Sequence, residues 1–188
     1  MDNQQQKGNE VSEFIITVDE QDSETGTMEK VEVHRQGILH RAFSVIIFNH
    51  KGEMLLQKRA KMKYHSPGLW SNTCCSHQRV GETLKEAVSR RIQEELGFTC
   101  ECKEVFQFKY RVEFDNGLIE NEIDHVFWGY YNGIVIPKKD EVEEIQWVNP
   151  DKLSKDMKEH PETFTYWFRI LMDQPEMLSL DKQIAGDK

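Results

Sequence analysis

The chain has 188 residues and a formal net charge of −9. That length gives room for one domain with a proper core, and the acidic balance argues against general nucleic-acid binding, which needs a basic footprint. The opening MDNQQQKGNE lacks the basic and apolar regions of a signal peptide, and no apolar run reaches membrane-spanning length, so a cytoplasmic protein without membrane contact is expected.

Residues 1–12 form a polar tail, after which EFIITVD (13–19) predicts a strand and EQDSETGT a turn-rich connection. RAFSVIIFN (41–49) reads as a buried strand, HKG as a turn, and EMLLQKR (53–59) as a second, alternating strand. SPG (66–68) marks a loop before Trp70. ETLKEAVSRRIQEELG (82–97) predicts a helix stopped by Gly97. Three strands follow, EVFQFKYRVEF (104–114), EIDHVFWGYYN (122–132) and VEEIQWVN (142–149). Pro150 opens a short helical stretch, TFTYWFRILM (163–172) reads as an amphipathic helix, and 174–188 is a polar tail. Strands on both sides of a central helix, with helices closing the chain, predict an α/β fold of the α+β kind: one domain over 13–173, a mixed sheet covered by helices.

The four cysteines, at 74, 75, 100 and 102, fall in close pairs and not in a secreted framework, so reduced thiols are expected. Adjacent Cα atoms lie about 3.8 Å apart, closer than a bridged pair usually sits, so Cys74 and Cys75 are poor partners for each other. On the wheel of the central helix Leu84, Val88, Ile92 and Leu96 make an apolar stripe, yet Arg91 and Glu95 fall inside its arc. Buried charges need partners. Two readings stand: an i,i+4 ion pair at the helix border, or Glu95 facing a metal and Arg91 an anion. From Met54 to Gly81 there is no acidic residue, while Lys58, Arg59, Lys61, Lys63 and Arg79 fall inside, which reads as an anion site or as a solvated basic loop.

SHQRVGETLKEAVSRRIQEELGF resembles a degenerate Nudix box, the pattern G-x5-E-x7-R-E-x-x-E-E-x-G. Glu82, Arg90, Glu94, Glu95 and Gly97 fit, whereas Ser76 stands at the first glycine and Arg91 replaces the glutamate after the arginine. In the family's phosphohydrolases that carboxylate helps to hold the catalytic metal, so its loss argues against hydrolysis. The sequence PGLWSNTCCSH, the RR pair, FKYR (108–111), GLIENEIDHVF (117–127), TGTMEK, LHRAFS and TYWF together resemble the type I isopentenyl-diphosphate isomerases, over roughly residues 13 to 172. The resemblance implies a Nudix-like mixed sheet sandwiched between helices.

It also implies a divalent metal, zinc, manganese or magnesium, held by His34, His40, His77, Glu120 and Glu122. Extended residues two apart share a face, which suits Glu120 with Glu122 and Cys75 with His77. The remaining histidines, His50, His65, His125 and His160, read as ordinary polar residues. The implied reaction moves a double bond between isopentenyl and dimethylallyl diphosphate, with Cys75 and Glu122 as proton donor and acceptor on opposite faces. Tyr110 would assist beside the carboxylate and Trp167 would face the cationic carbon. The diphosphate would meet Lys30, Arg59, Lys63 and Arg91, with magnesium bridging it to Glu95. Cys74 is read as a buried, inert thiol. The expected partner is a small isoprenoid diphosphate, and the expected state a monomer or weak homodimer. The rival is a Nudix pyrophosphohydrolase of a nucleoside diphosphate derivative, which leaves Cys75, ENE and the histidines unexplained.

Overall fold

A computed structural model describes residues 13–63 and 66–177. The elements run β1 (Phe14–Val18), β2 (Glu24–Glu29), α1 (Lys30–Gln36), β3 (His40–Phe48), β4 (Met54–Arg59), β5 (Trp70–Ser71) and β6 (Cys74–His77). Then come α2 (Leu84–Leu96), β7 (Cys102–Glu113), β8 (Ile119–Tyr130), β9 (Val142–Val148), α3 (Pro150–Glu159) and α4 (Tyr166–Met172). No helix among the described residues is long and apolar enough to cross a membrane.

β3 is the spine of one mixed sheet, buried at all but one of its positions. It pairs in parallel with β8 from His40↔Glu122 to Phe48↔Tyr130, and antiparallel with β6 from Ala42↔His77 to Val45↔Cys74. β7 extends the sheet beyond β8, β5 and β9 attach to β4, and the β1–β2 hairpin joins at Thr17↔His40. Strand side chains alternate between faces. Phe43, Val45 and Ile47 therefore pack with Phe127 against Ala87, Val88, Ile92 and Leu96 of α2. Ile46 and Phe48 turn the other way, onto Leu153 of α3, Phe164, and Phe168 and Leu171 of α4. Each such large side chain, fully buried, contributes roughly 1.5–3 kcal/mol. Helices thus cover both faces, as the sequence predicts. The second face turns polar toward the start of β3, where His40, Ala42 and Ser44 continue the row begun by Phe48 and Ile46.

Four local features depart from the sequence reading. EQDSETGT is not turn throughout: the turn is held by Asp19, whose carboxylate accepts from the N–H groups of Gln21 and Ser23, and β2 begins at Glu24. β2 is exposed on most positions, so no period-2 apolar signal marks it. α1 is an unexpected helix, capped by Glu29 and ended by Gly37 at φ 64°. A Cβ at Gly37 would stand 3.1 Å from Ile119, so only glycine allows this sharp return toward β3. The C-terminal helix starts at Tyr166, not at 163, because Pro161–Thr163 form a separate 3-10 turn and the Thr165 N–H donates to Trp70 O at 2.9 Å. Finally, Met177 is buried in the α3–α4 layer, so packing continues past the point where the sequence turns polar. His65, most of 174–188 and the first 12 residues lie outside the described residues or at their edge.

Candidate active site and metal centre

Four elements converge on five buried side chains. α1 supplies His34, the start of β3 His40, the end of β6 His77, and β8 both Glu120 and Glu122, which share a face two residues apart. One ligand atom from each lies within 4.8 Å of every other. The ring centroids stand 4.8, 5.2 and 5.0 Å apart. His34 Nδ1 lies 2.6 Å from Lys30 O and His40 Nδ1 lies 2.8 Å from Ile38 O, contacts that each require an N–H and so leave Nε2 as a lone pair. Those Nε2 atoms are 3.0 Å from Glu120 Oε2 and 3.3 Å from Glu122 Oε1, yet neither makes a well-formed hydrogen bond. Buried imidazole lone pairs aimed at carboxylates without hydrogen-bond geometry are the donor set of a divalent cation. The group can hold such a metal.

The protonation pattern has the same cause. Burial raises the Glu120 carboxyl and the neighbouring Glu122 raises it further. Burial acts on Glu122 as well, but the close imidazoles of His40 and His77 outweigh it and hold Glu122 well below the usual carboxylate range. Burial lowers His77 to about 3 despite the pull of Glu122. For His34, burial also lowers basicity, and Glu120 beside it reverses the sign.

The catalytic candidates lie on the same face. Tyr110, opposite Glu122 in the β7–β8 register, donates its hydroxyl to Glu122 Oε2 at 2.5 Å. Cys75, opposite Ser44, shares the cleft with them while Cys74 points into the α2 core. Burial pushes the Cys75 thiol up to about 12, against the pull of Arg59. All four cysteines are free thiols. Trp167 on α4 is 4% exposed and donates Nε1–H to Ser71 Oγ at 3.0 Å, which fixes its ring; the Arg59 guanidinium lies 5.2 Å from the ring centroid.

Lys30, Arg59, Lys63 and Arg91 line the same cleft, with Glu95 among them. Arg91 and Glu95 form the i,i+4 ion pair of the plain reading, and both also line the cleft. Arg91 reaches Glu94 at 2.8 Å and Glu141 at 3.2 Å as well. Lys61, by contrast, is exposed and pairs with Glu143 at 3.5 Å, and Arg79 pairs with Glu13 at 2.6 Å. Every sequence-predicted site residue therefore lines the cleft or belongs to the five-residue cluster, or both, as His77, Glu120 and Glu122 do.

Several supporting residues escaped the sequence reading. Glu141 bonds both Lys63 and Arg91, but it sits in the charge run KKDEVEE, where nothing local distinguishes it. Gln57 donates to Glu95 Oε2 at 3.0 Å. Ser44 donates to the fully buried Asp124 at 2.7 Å, and burial raises that carboxyl well above its ordinary value. His125, read as an ordinary polar residue, is 5% exposed and bridges Glu104 at 2.7 Å and Asp22 at 3.0 Å, away from the cleft.

A NUDIX domain matches residues 38–168. The chain is 48% identical over 160 residues to isopentenyl-diphosphate Delta-isomerase 1 of Aromatoleum aromaticum, covering 85% of this chain and 90% of that protein. It is 45% identical over 163 residues to isopentenyl-diphosphate Delta-isomerase 2 of Photorhabdus laumondii, covering 87% and 92%. Among solved structures, DR0079 of Deinococcus radiodurans superposes with a TM-score of 0.66 at 17% identity, over 78% of this chain and 90% of that one. A MutT protein of Methanosarcina mazei gives 0.59 at 24% identity, over 79% and 94%; these two likenesses are of fold. By the extent of the NUDIX match and the identity to its relatives, the chain belongs to the type I isopentenyl-diphosphate isomerase family, built on a NUDIX domain.

Proposed function

We propose that this protein interconverts isopentenyl and dimethylallyl diphosphate, the activity its relatives' names carry. The observation that supports it most is a thiol and a tyrosine-bonded carboxylate in one cleft with four cationic side chains. The diphosphate is held by Lys30, Arg59, Lys63 and Arg91; Glu95 among them would hold a magnesium ion, which would supply charge neutralisation to the diphosphate. The alkene then lies between Cys75 and Glu122. One of the two adds a proton to the terminal carbon as the other removes one from the carbon nearer the diphosphate, through a tertiary carbocation-like state. Tyr110 relays or steadies the proton at Glu122. The Trp167 ring, fixed by Ser71, faces the cationic carbon and stabilises it by about 2 kcal/mol when water is excluded.

His34, His40, His77, Glu120 and Glu122 hold the resident divalent ion, zinc, manganese or magnesium. Bound there, it would neutralise the two buried carboxylates and tune the acidity of Glu122. The hydrolase alternative gains nothing from this geometry: a hydrolytic carboxylate is replaced by Arg91, whose partners are Glu94, Glu95 and Glu141. Cys75→Ala tests the reading. We expect isomerisation to fall on the order of 10²–10⁴-fold, the usual contribution of a positioned acid or base, with fold and metal content retained. Unchanged turnover would remove Cys75 from the mechanism.

A further inference from the structure

Cys100 and Cys102 do not line the catalytic cleft. Cys100 follows α2, and Cys102 opens β7 opposite Gly129 of β8. Gly129 lies seven residues along β8 from Glu122, roughly 23 Å at about 3.3 Å per residue. The two sulfurs are 3.7 Å apart, both are free, and both side chains are half-buried against the α2-side core. Cys100 lies in the segment between α2 and β7, ahead of the strand that Cys102 opens, so the path of this segment onto β8 brings the two sulfurs together.

The pair has a built seat. A Cβ at Gly129 would stand 2.5 Å from Glu101 O and 3.1 Å from Cys102 Sγ, so glycine is what lets this segment lie directly on β8. The pair is also chemically uneven. A hydrogen bond between the thiols lowers the Cys100 pKa and raises that of Cys102, and burial adds to the rise. That direction, together with Cys100 lying ahead of β7 while Cys102 is held in the strand, makes Cys100 the attacking thiol and Cys102 the resolving one.

We propose that Cys100 and Cys102 form a reversible intrachain disulfide by exchange with a low-molecular-weight disulfide. The Cys100 thiolate attacks one sulfur of the small disulfide, breaks its S–S bond and releases one thiolate, leaving a mixed disulfide on Cys100. Cys102 then loses its proton to solvent, and its sulfur attacks that of Cys100 and displaces the second thiolate. Two protein thiols are oxidised and one small disulfide is reduced to two thiols. The sulfurs must close from 3.7 Å to about 2.05 Å.

The test uses the full chain incubated with oxidised glutathione, quenched in acid, alkylated under denaturing conditions, and read by intact mass and peptide mapping. We expect two of the four thiols to be lost, the map to show a Cys100–Cys102 link, and dithiothreitol to restore both. Cys102→Ser should instead trap glutathione on Cys100, and Cys100→Ser should abolish the link. Retention of all four thiols, a stable glutathione adduct on the unsubstituted chain, or a link through Cys74 or Cys75 would overturn the proposal. Because the readout is covalent and does not involve turnover, it is independent of the isomerase reading.

Discussion

At Cys75 burial outweighs every neighbouring charge, and the thiol rises to about 12 although Arg59 pulls it down. The sign is clear: a raised thiol pKa keeps Cys75 as S–H at neutral pH. Its alkylation by iodoacetamide should therefore climb about tenfold per pH unit well past the ordinary thiol value of about 8.5. A plateau of the Cys75 rate near pH 9, followed by peptide mapping, would contradict this. The family pattern of cysteine, small residue and histidine picked Cys75 over Cys74, and Cys75 is the one of the two that lines the cleft. His34 and His40 were not legible locally. One sits on a short helix that the sequence did not announce, and only family resemblance joined them to Glu120 and Glu122. Glu141 was invisible because its role depends on Lys63 and Arg91 arriving from two other segments.

α2 and β3 announced themselves through their apolar patterning and, for α2, through Gly97, which ends it at φ 75°; the capping box of Thr83 and Glu86 that starts α2 is seen only in the structure. β2, α1 and β6 did not, because each is short and largely polar. Polar ties take the place of a large apolar face at α1: Lys30 bonds Glu13 at 3.2 Å, and Arg79 reaches the same carboxylate at 2.6 Å. Burial alone would raise Glu13, but Lys30 and Arg79 together hold it at about 2, below its ordinary 4.5. A depressed folded-state pKa gives stability that is fully present above about 4.5 and is lost as pH falls through about 2. Glu13→Gln should thus lower unfolding free energy by on the order of 1 kcal/mol at pH 7, after solvent screening. Denaturant titrations of both proteins should converge by pH 2. A difference independent of pH would mean that the tie carries no ionic stabilisation.

For the whole molecule, the sequence order of elements predicted helices on both faces of a mixed sheet, and that layering holds. What it could not give was the parallel β3–β8 pairing, which brings His40 beside Glu122, 82 residues further along the chain (122 − 40), and so assembles the site. Non-local registers leave no local trace in composition or period. The same pairing sets apolar packing at one end of β3 and the metal and proton chemistry at the other, so one strand serves both core and catalysis. The net charge of −9 is compatible with a diphosphate substrate because four cations are gathered in one cleft. The most direct measurement is proton NMR of the metal-loaded protein with isopentenyl diphosphate and magnesium in heavy water. The account predicts dimethylallyl diphosphate, with deuterium entering the exchanging carbon positions; a folded, metal-loaded protein that leaves isopentenyl diphosphate unchanged and undeuterated would contradict it.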